Sequence, residues 1–282
     1  MIVFFLRKGP KLLVLLLLVI NIFLLAFLLV GCSSSSSQYS NVYLVEYKFN
    51  QSSAFYNKIE NAYSRSNNDD LTSMRVLVGY RGICVKTDSA TLCSTNIEKT
   101  NYKEIYPGVS LYNTDANSTS SSLSLVDMAV EFNTKVTQPY ILMASLVLTL
   151  FLLASLLYAY IPLLPWKWVA PYTSFALSSV LCVLWGIGGM WAHVAAKSGA
   201  VIGTTASMTI IEGSIGHRAA AMIWSSFSFY VVSLVCTSVG LAKQIRSKQE
   251  SLEKDSKSLA SSMPGTFTGK NPFPTGRVRQ FV

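Results

Sequence analysis

Charge is what this chain uses least. Only 13% of its 282 residues are Asp, Glu, Lys or Arg, against 51% hydrophobic, a balance that excludes an ordinary soluble domain. Histidine is nearly missing: His193 and His217 are the two, and no metal-binding or nucleophile pattern surrounds either. Catalysis therefore has no constellation to build on, and His193 reads as a span-end residue hydrogen-bonded locally. Tryptophan is absent before Trp166. Gly265-Thr-Phe-Thr-Gly269-Lys270 is one residue short of a phosphate-binding loop and lacks its Ser or Thr, so no nucleotide or other cofactor is expected.

What is present in abundance is long apolar sequence. A helix needs about 20 mostly apolar residues to cross the hydrocarbon of a bilayer, and four runs qualify: Leu12 to Val30, Tyr140 to Leu164, Val169 to Val194 and Ala219 to Ala242. None contains an acidic residue, lysine or arginine. The chain divides accordingly into segments 1–11, 12–30, 31–139, 140–164, 169–194, 195–218, 219–242 and 243–282.

The formal net charge of +9 would suggest nucleic acid in a soluble protein. Its placement argues otherwise, and no nucleic-acid partner is expected. Arg7, Lys8 and Lys11 precede the first span without an acid, and the segment after the fourth begins with Lys243, Arg246 and Lys248. The segment between the first two spans carries nine bases against ten acids. The positive-inside bias thus puts both termini in the cytosol and residues 31–139 outside. Lys243 to Val282 is basic, Ser-rich and Pro-rich and is expected to be a disordered cytosolic tail, whose lysines and arginines near the membrane should feel anionic lipid.

Outside the cytosol disulfides form and persist, so Cys84 and Cys93, the only cysteines in the middle of the long polar segment, are predicted to form a bridge. Val76, Leu77 and Val78 lead into it as a strand, and Gly79 and Gly82 bracket Tyr80-Arg81 where the backbone must bend. Asn41 to Phe49 alternates as a second strand, with Tyr43, Val45 and Tyr47 on one face and Val42, Leu44, Glu46 and Lys48 on the other. Ser53 to Ser66 and Leu123 to Val136 carry helical spacing, the latter with Leu125, Met128, Ala129 and Phe132 on one side. Asn50-Gln-Ser and Asn117-Ser-Thr are N-glycosylation sequons on the side assigned as outside.

The first run resembles a signal peptide, but its apolar core is longer than the usual 7 to 15 residues, which favours a retained anchor. Leu29-Val30-Gly31-Cys32 resembles a bacterial lipoprotein cleavage site; three further spans and two sequons oppose that, leaving Cys32 unpaired at the membrane edge. Asp69, Asp70, Asp88, Glu98, Glu104 and Asp115 offer hard oxygen ligands without the spacing of a calcium loop, so they read as solvated surface and no metal site is assigned.

Four spans, a long first outer loop, the run Gly79-Tyr80-x-Gly82-x-Cys84 and Cys93 together resemble the claudin superfamily. The signature within residues 79–95 is most similar to its fungal pheromone-induced branch, the Fig family of calcium-uptake regulators and membrane-fusion proteins. The missing Trp in the first outer loop departs from animal claudins and speaks against a paracellular seal. The resemblance implies a mainly α membrane protein: a claudin-like four-transmembrane-helix bundle with a small disulfide-stapled extracellular β-sheet. It implies a non-enzymatic plasma membrane protein at mating-cell contacts, promoting low-affinity calcium influx and membrane fusion. Its partners would be membrane lipids and other membrane proteins, such as a calcium channel or a second copy. The other reading is a structural scaffold of cortical membrane patches, the eisosome-associated type. Because the spans offer only Asn21 and scattered Ser and Thr, a pore through the bundle itself is not expected.

Overall fold

The computed structural model describes residues 2–65, 69–95, 105–108, 123–160 and 169–261. In chain order the elements are α1 (Ile2–Val30), α2 (Ser37–Ser40), β1 (Val45–Phe49), α3 (Tyr56–Arg65), a single turn at Asp69–Leu71, β2 (Arg75–Val78), β3 (Ile83–Lys86) and β4 (Thr91–Ser94). Then come α4 (Leu125–Lys135), α5 (Pro139–Tyr160), α6 (Ala170–Ala206), β5 (Ile211–Ile215) and α7 (His217–Ser261). Four helices, α1, α5, α6 and α7, are long and apolar enough to cross a membrane.

The spanning helices separate a protein-facing seam from a lipid-facing surface by residue spacing. In α1, Val14, Leu18, Asn21, Leu25 and Leu28 are buried at intervals of three and four, while Leu16, Ile20, Phe23 and Phe27 are exposed. That is the 3.6-residue period of one helix face. Lipid solvates the exposed leucines as well as a protein core would, so close packing must hold the helices together. Gly186 lies against the Phe227 ring, Gly189 against Ile223, and Trp185 Nε1 donates to the Ile223 carbonyl at 3.3 Å. The helix α6 runs antiparallel to α5, with Gly188 against Ile141 and Ser174 bonded to Ser155, and antiparallel to α7, with Gly189 against Ile223 and Gly186 against Phe227.

The five strands form one antiparallel sheet in the order β4-β3-β2-β1-β5. Val45, Tyr47 and Phe49 of β1, Val76 and Val78 of β2, and Ile83 and Val85 of β3 are buried in the main core. Each such side chain contributes on the order of 1.5–3 kcal/mol of burial. The helix α4 packs on this face. Its Ser124 side chain caps it by accepting from the Asp127 N–H at 3.2 Å, a Ser-x-x-acid start.

Two expectations are corrected. The sequence reads residues 195–218 as a second outer loop, but α6 runs on to Ala206, and Ile211–Ile215 becomes β5, paired with β1 from Val45↔Ile215 to Phe49↔Ile211. The physical cause is a small face, with Ala192, Ala196, Ala200 and Gly203 buried, that lets the helix lie directly on the sheet with Gly203 against the Tyr47 ring. Within this segment Ile210 and Ile211 are buried, whereas Val201 and Ile202 are exposed. The tail is likewise not disordered from Lys243. The helix continues to Ser261 through Gln, Lys, Arg, Glu and Leu, which are good helix formers, with no proline before Pro264. Residues 262–282 and 161–168, which include Trp166-Lys167-Trp168 between α5 and α6, lie outside the described residues.

Candidate functional site

The residues singled out from sequence meet at the β2–β3 hairpin. Gly79 to Gly82 form its four-residue turn, closed by the Gly79 N–H donating to the Gly82 carbonyl at 2.9 Å. Cys84 and Cys93 stand directly opposite on β3 and β4, Cα atoms 4.0 Å apart, and are joined by a disulfide. Alternation along the strands puts this bridge on the face away from the main core. There Cys84, Leu77 and Cys32 form a second small buried cluster, with Tyr43 and Cys93 packed against it.

The hairpin is seated on the exit of the first spanning helix. A Cβ at position 79 would stand 2.6 Å from the Gly31 carbonyl oxygen and 2.9 Å from the Cys32 Cβ. A Cβ at position 82 would collide with the carbonyl of Cys32. The two motif glycines are therefore required by backbone approach, not by the turn alone. Cys32 itself has φ 57, a left-handed conformation that costs a non-glycine residue energy. Its N–H donates to the Tyr39 carbonyl at 3.0 Å and its Sγ donates to the Val42 carbonyl at 3.5 Å, which hold it there. Burial pushes the Cys32 thiol up to about 12, partly opposed by the Cys84 backbone N–H.

From the other side α4 clasps the turn. Asn133 is buried and its Nδ2 donates to the Gly79 carbonyl at 2.9 Å. Tyr80 is buried among apolar neighbours, and that desolvation raises its hydroxyl pKa. Arg81, between Tyr80 and Gly82, is exposed. The hairpin is thus gripped by the first span below and by α4 beside it, leaving the arginine at the tip in solvent.

On the solvated part of the sheet Glu46 gathers three donors. Tyr43 OH donates to its Oε2 at 2.9 Å and Ser214 Oγ at 3.4 Å, while Arg75 lies 3.8 Å from its Oε1. Burial first, and then the bond to Glu46, push the Tyr43 hydroxyl up to about 12. Lys48 and Glu212 pair at 3.3 Å across β1 and β5. Exposed pairs of this kind are worth little in stability, but here they mark the register.

Asn50 lies at the far end of β1, away from the hairpin, with Nδ2 donating to the Thr209 carbonyl at 3.0 Å and Oδ1 accepting from the Ser52 N–H. Asn117 lies outside the described residues, as do Glu98, Glu104, Asp115 and the 265–270 segment. Among the described residues no three His, Cys, Asp or Glu side chains come together as a metal-holding group. Among the described residues His193 Nδ1 has no hydrogen-bond partner, so the local bond expected of it is not found there; the ring packs edge-on against Trp224 at 5.9 Å.

Sequence reasoning missed Gly31, Cys32 and Asn133 as parts of this site. Asn133 carried a signal, since it follows Phe132 on the apolar side of its helix. Cys32 carried none, because its contact with the hairpin is made across the fold.

A stapled antiparallel sheet seated on four apolar helices defines a multi-span membrane protein. The comparisons narrow the class. Residues 61–243, more than half of the chain, match the family described as Ca2+ regulator and membrane fusion protein Fig1. The Factor-induced gene 1 protein of Saccharomyces cerevisiae is 33% identical over 254 residues, covering 83% of this chain and 85% of that protein. This chain belongs to the Fig1 family. No solved structure matches it.

Proposed function

We propose that this chain is a plasma membrane protein that promotes low-affinity calcium influx and membrane fusion where fungal cells meet during mating. The observation that carries this reading is the hairpin seat: Gly79 and Gly82 stand against the backbone of Gly31 and Cys32, so the stapled surface is rigidly referenced to the bilayer. A contact surface that must act on a facing membrane needs that fixed height and orientation.

In this reading the sheet lies outside and both termini are cytosolic, in keeping with Arg7, Lys8 and Lys11 at one end and Lys243, Arg246 and Lys248 at the other. The four helices and sheet form a claudin-like unit. Gly79, Tyr80, Gly82, Cys84 and Cys93 shape its contact patch, and Asn50 and Asn117 carry glycans. The protein is not an enzyme and takes no cofactor. It works beside membrane lipids and other membrane proteins, a calcium channel or a second copy of itself.

The test is complementation of a deletion in mating cells, scoring calcium uptake and fusion for the wild type and for variants at Cys84 and Cys93. Restored uptake and fusion by the wild type, and a defect in the variants that reach the surface, is the expected result. A deletion that leaves both processes intact while the protein sits in constitutive cortical patches would overturn the proposal.

A further inference from the structure

The polar side chains of the spans are scattered along the sequence but gathered in the fold. Asn21, Ser145, Thr149, Ser178, Ser226, Tyr230 and Ser233 are each between 0% and 1% exposed. Tyr230 OH and Thr149 Oγ1 share a 2.5 Å hydrogen bond, and Asn21 lies beside the same Tyr230 hydroxyl. The bond from Trp185 to the Ile223 carbonyl sets the register of α6 on α7. Gly189 also meets Ile223, so in these antiparallel helices Ser178 lies within about one turn of the level of Tyr230. Asn21, Thr149 and Tyr230 thus form a layer drawn from three spanning helices, with Ser178 of the fourth within about one turn. Ser226 and Ser233 lie about one turn to either side of Tyr230.

This layer is unfinished as a protein-only network. Among the described residues the hydroxyls of Ser178, Ser226 and Ser233 have no hydrogen-bond partner, and the buried Asn21 amide reaches the Tyr230 hydroxyl without closing a well-formed bond at either Nδ2 or Oδ1. Serines buried in a helix ordinarily bond the carbonyl one turn back, as Ser145 does to Leu142 and Thr149 to Ser145, and these three do not. In a membrane interior, a polar group without a partner is especially costly. The chemistry needed is specific. The Asn21 amide N–H groups require an acceptor, while its oxygen requires a donor. A metal cation would satisfy the oxygens and repel the N–H groups, and the layer has no carboxylate to offer a divalent ion. Water supplies both functions and ordinarily makes about three bonds to such groups.

We propose that the Asn21 layer is an internal water-binding site in the middle of the four-helix bundle, with Asn21 at its hub. It stands apart from the calcium and fusion reading, since it depends on buried groups that the sheet domain does not contain.

Radiolytic hydroxyl labelling of the full-length protein in lipid nanodiscs tests it, because radicals generated from bound water oxidise the side chains beside that water. Tyr230 and Tyr47 are both 1% exposed and serve as reporter and control. Tyr230 is expected to be oxidised several-fold faster than Tyr47. Asn21→Leu, and separately Ser226→Ala, should bring it down towards the Tyr47 rate while the Cys84–Cys93 bridge stays intact. Equal slow labelling of the two tyrosines in the wild type would overturn the proposal. So would a fast Tyr230 rate that neither variant changes, the Ser226→Ala protein serving where the Asn21 variant does not fold.

Discussion

The carbonyl of Cys32 occupies the place where a side chain on residue 82 would begin. A span-end turn and a hairpin turn fifty residues later are therefore in backbone contact, and the β2–β3 tip cannot shift without moving the end of the first membrane helix. This makes position 82 the most sensitive small residue of the motif.

Gly82→Ala is expected to destabilise the sheet domain by about 1–3 kcal/mol or more, the usual scale for overpacking. The obstacle is backbone and cannot swing away. Gly79→Ala should do the same against Gly31, whereas Arg81→Ala, at an exposed neighbour, should be neutral. Thermal unfolding of the three proteins in nanodiscs distinguishes them; an unaffected Gly82→Ala protein would contradict the seat.

Breaking the disulfide removes roughly 2.5 to 3 kcal/mol in the chain-entropy account of so short a loop. Because the two residues act as one unit, Cys84→Ser with Cys93→Ser should be no worse than either change alone. Each single variant should be the poorer protein, since it leaves a lone thiol in the sheet. Surface amounts and non-reducing mobility of the three variants measure this.

The thiol of Cys32 should resist alkylation in the folded protein and react fully after unfolding. Its value rises from 9.0 to about 12 on folding, so its contribution to stability is complete below 9.0. Above that, the unfolded chain loses the proton first and stability declines, at most about 1.4 kcal/mol per pH unit, until the folded value is reached. Cys32→Ala should flatten this alkaline decline relative to wild type, in melting points followed upward from pH 9.0. The tyrosines contribute equally to both proteins and cancel in the comparison. Identical slopes would show that Cys32 is not buried as a neutral thiol.

Asn133→Leu leaves the Gly79 carbonyl without its donor in a buried setting, a cost of about 1–3 kcal/mol. The expected signature is local: faster hydrogen exchange at residues 79–82, with the spanning helices unchanged. Uniform loosening of the whole chain would point to misfolding instead.

How much of this was legible beforehand follows from the range of the interactions. The four apolar runs announce their helices because lipid imposes one composition on every side. Val76 to Val78, the bracketing glycines and Cys84 with Cys93 announce a hairpin because its partners are close in sequence. Ile211–Ile215 did not read as a strand: Ile-Glu-Gly-Ser-Ile has little β character by itself and is recruited by the open edge of β1. The helical stretch from Ala195 to Ala206 reads as loop in the sequence because its small residues carry no strong apolar signal, although they are what the sheet requires. Asn21 and the serines looked incidental because only helix register brings them close to one level.

The strand β5 also carries a temporal meaning. Glu46 and Ser214, neighbours across the β1–β5 ladder, are 168 positions apart, and two membrane passages are threaded between them. A nascent chain that has already delivered β1 must keep that edge bare until the third span has crossed and the following segment has emerged. Completion of the sheet thus reports that the helices have been inserted in the right number and direction, and an immature copy offers any chaperone a distinctive exposed backbone to hold.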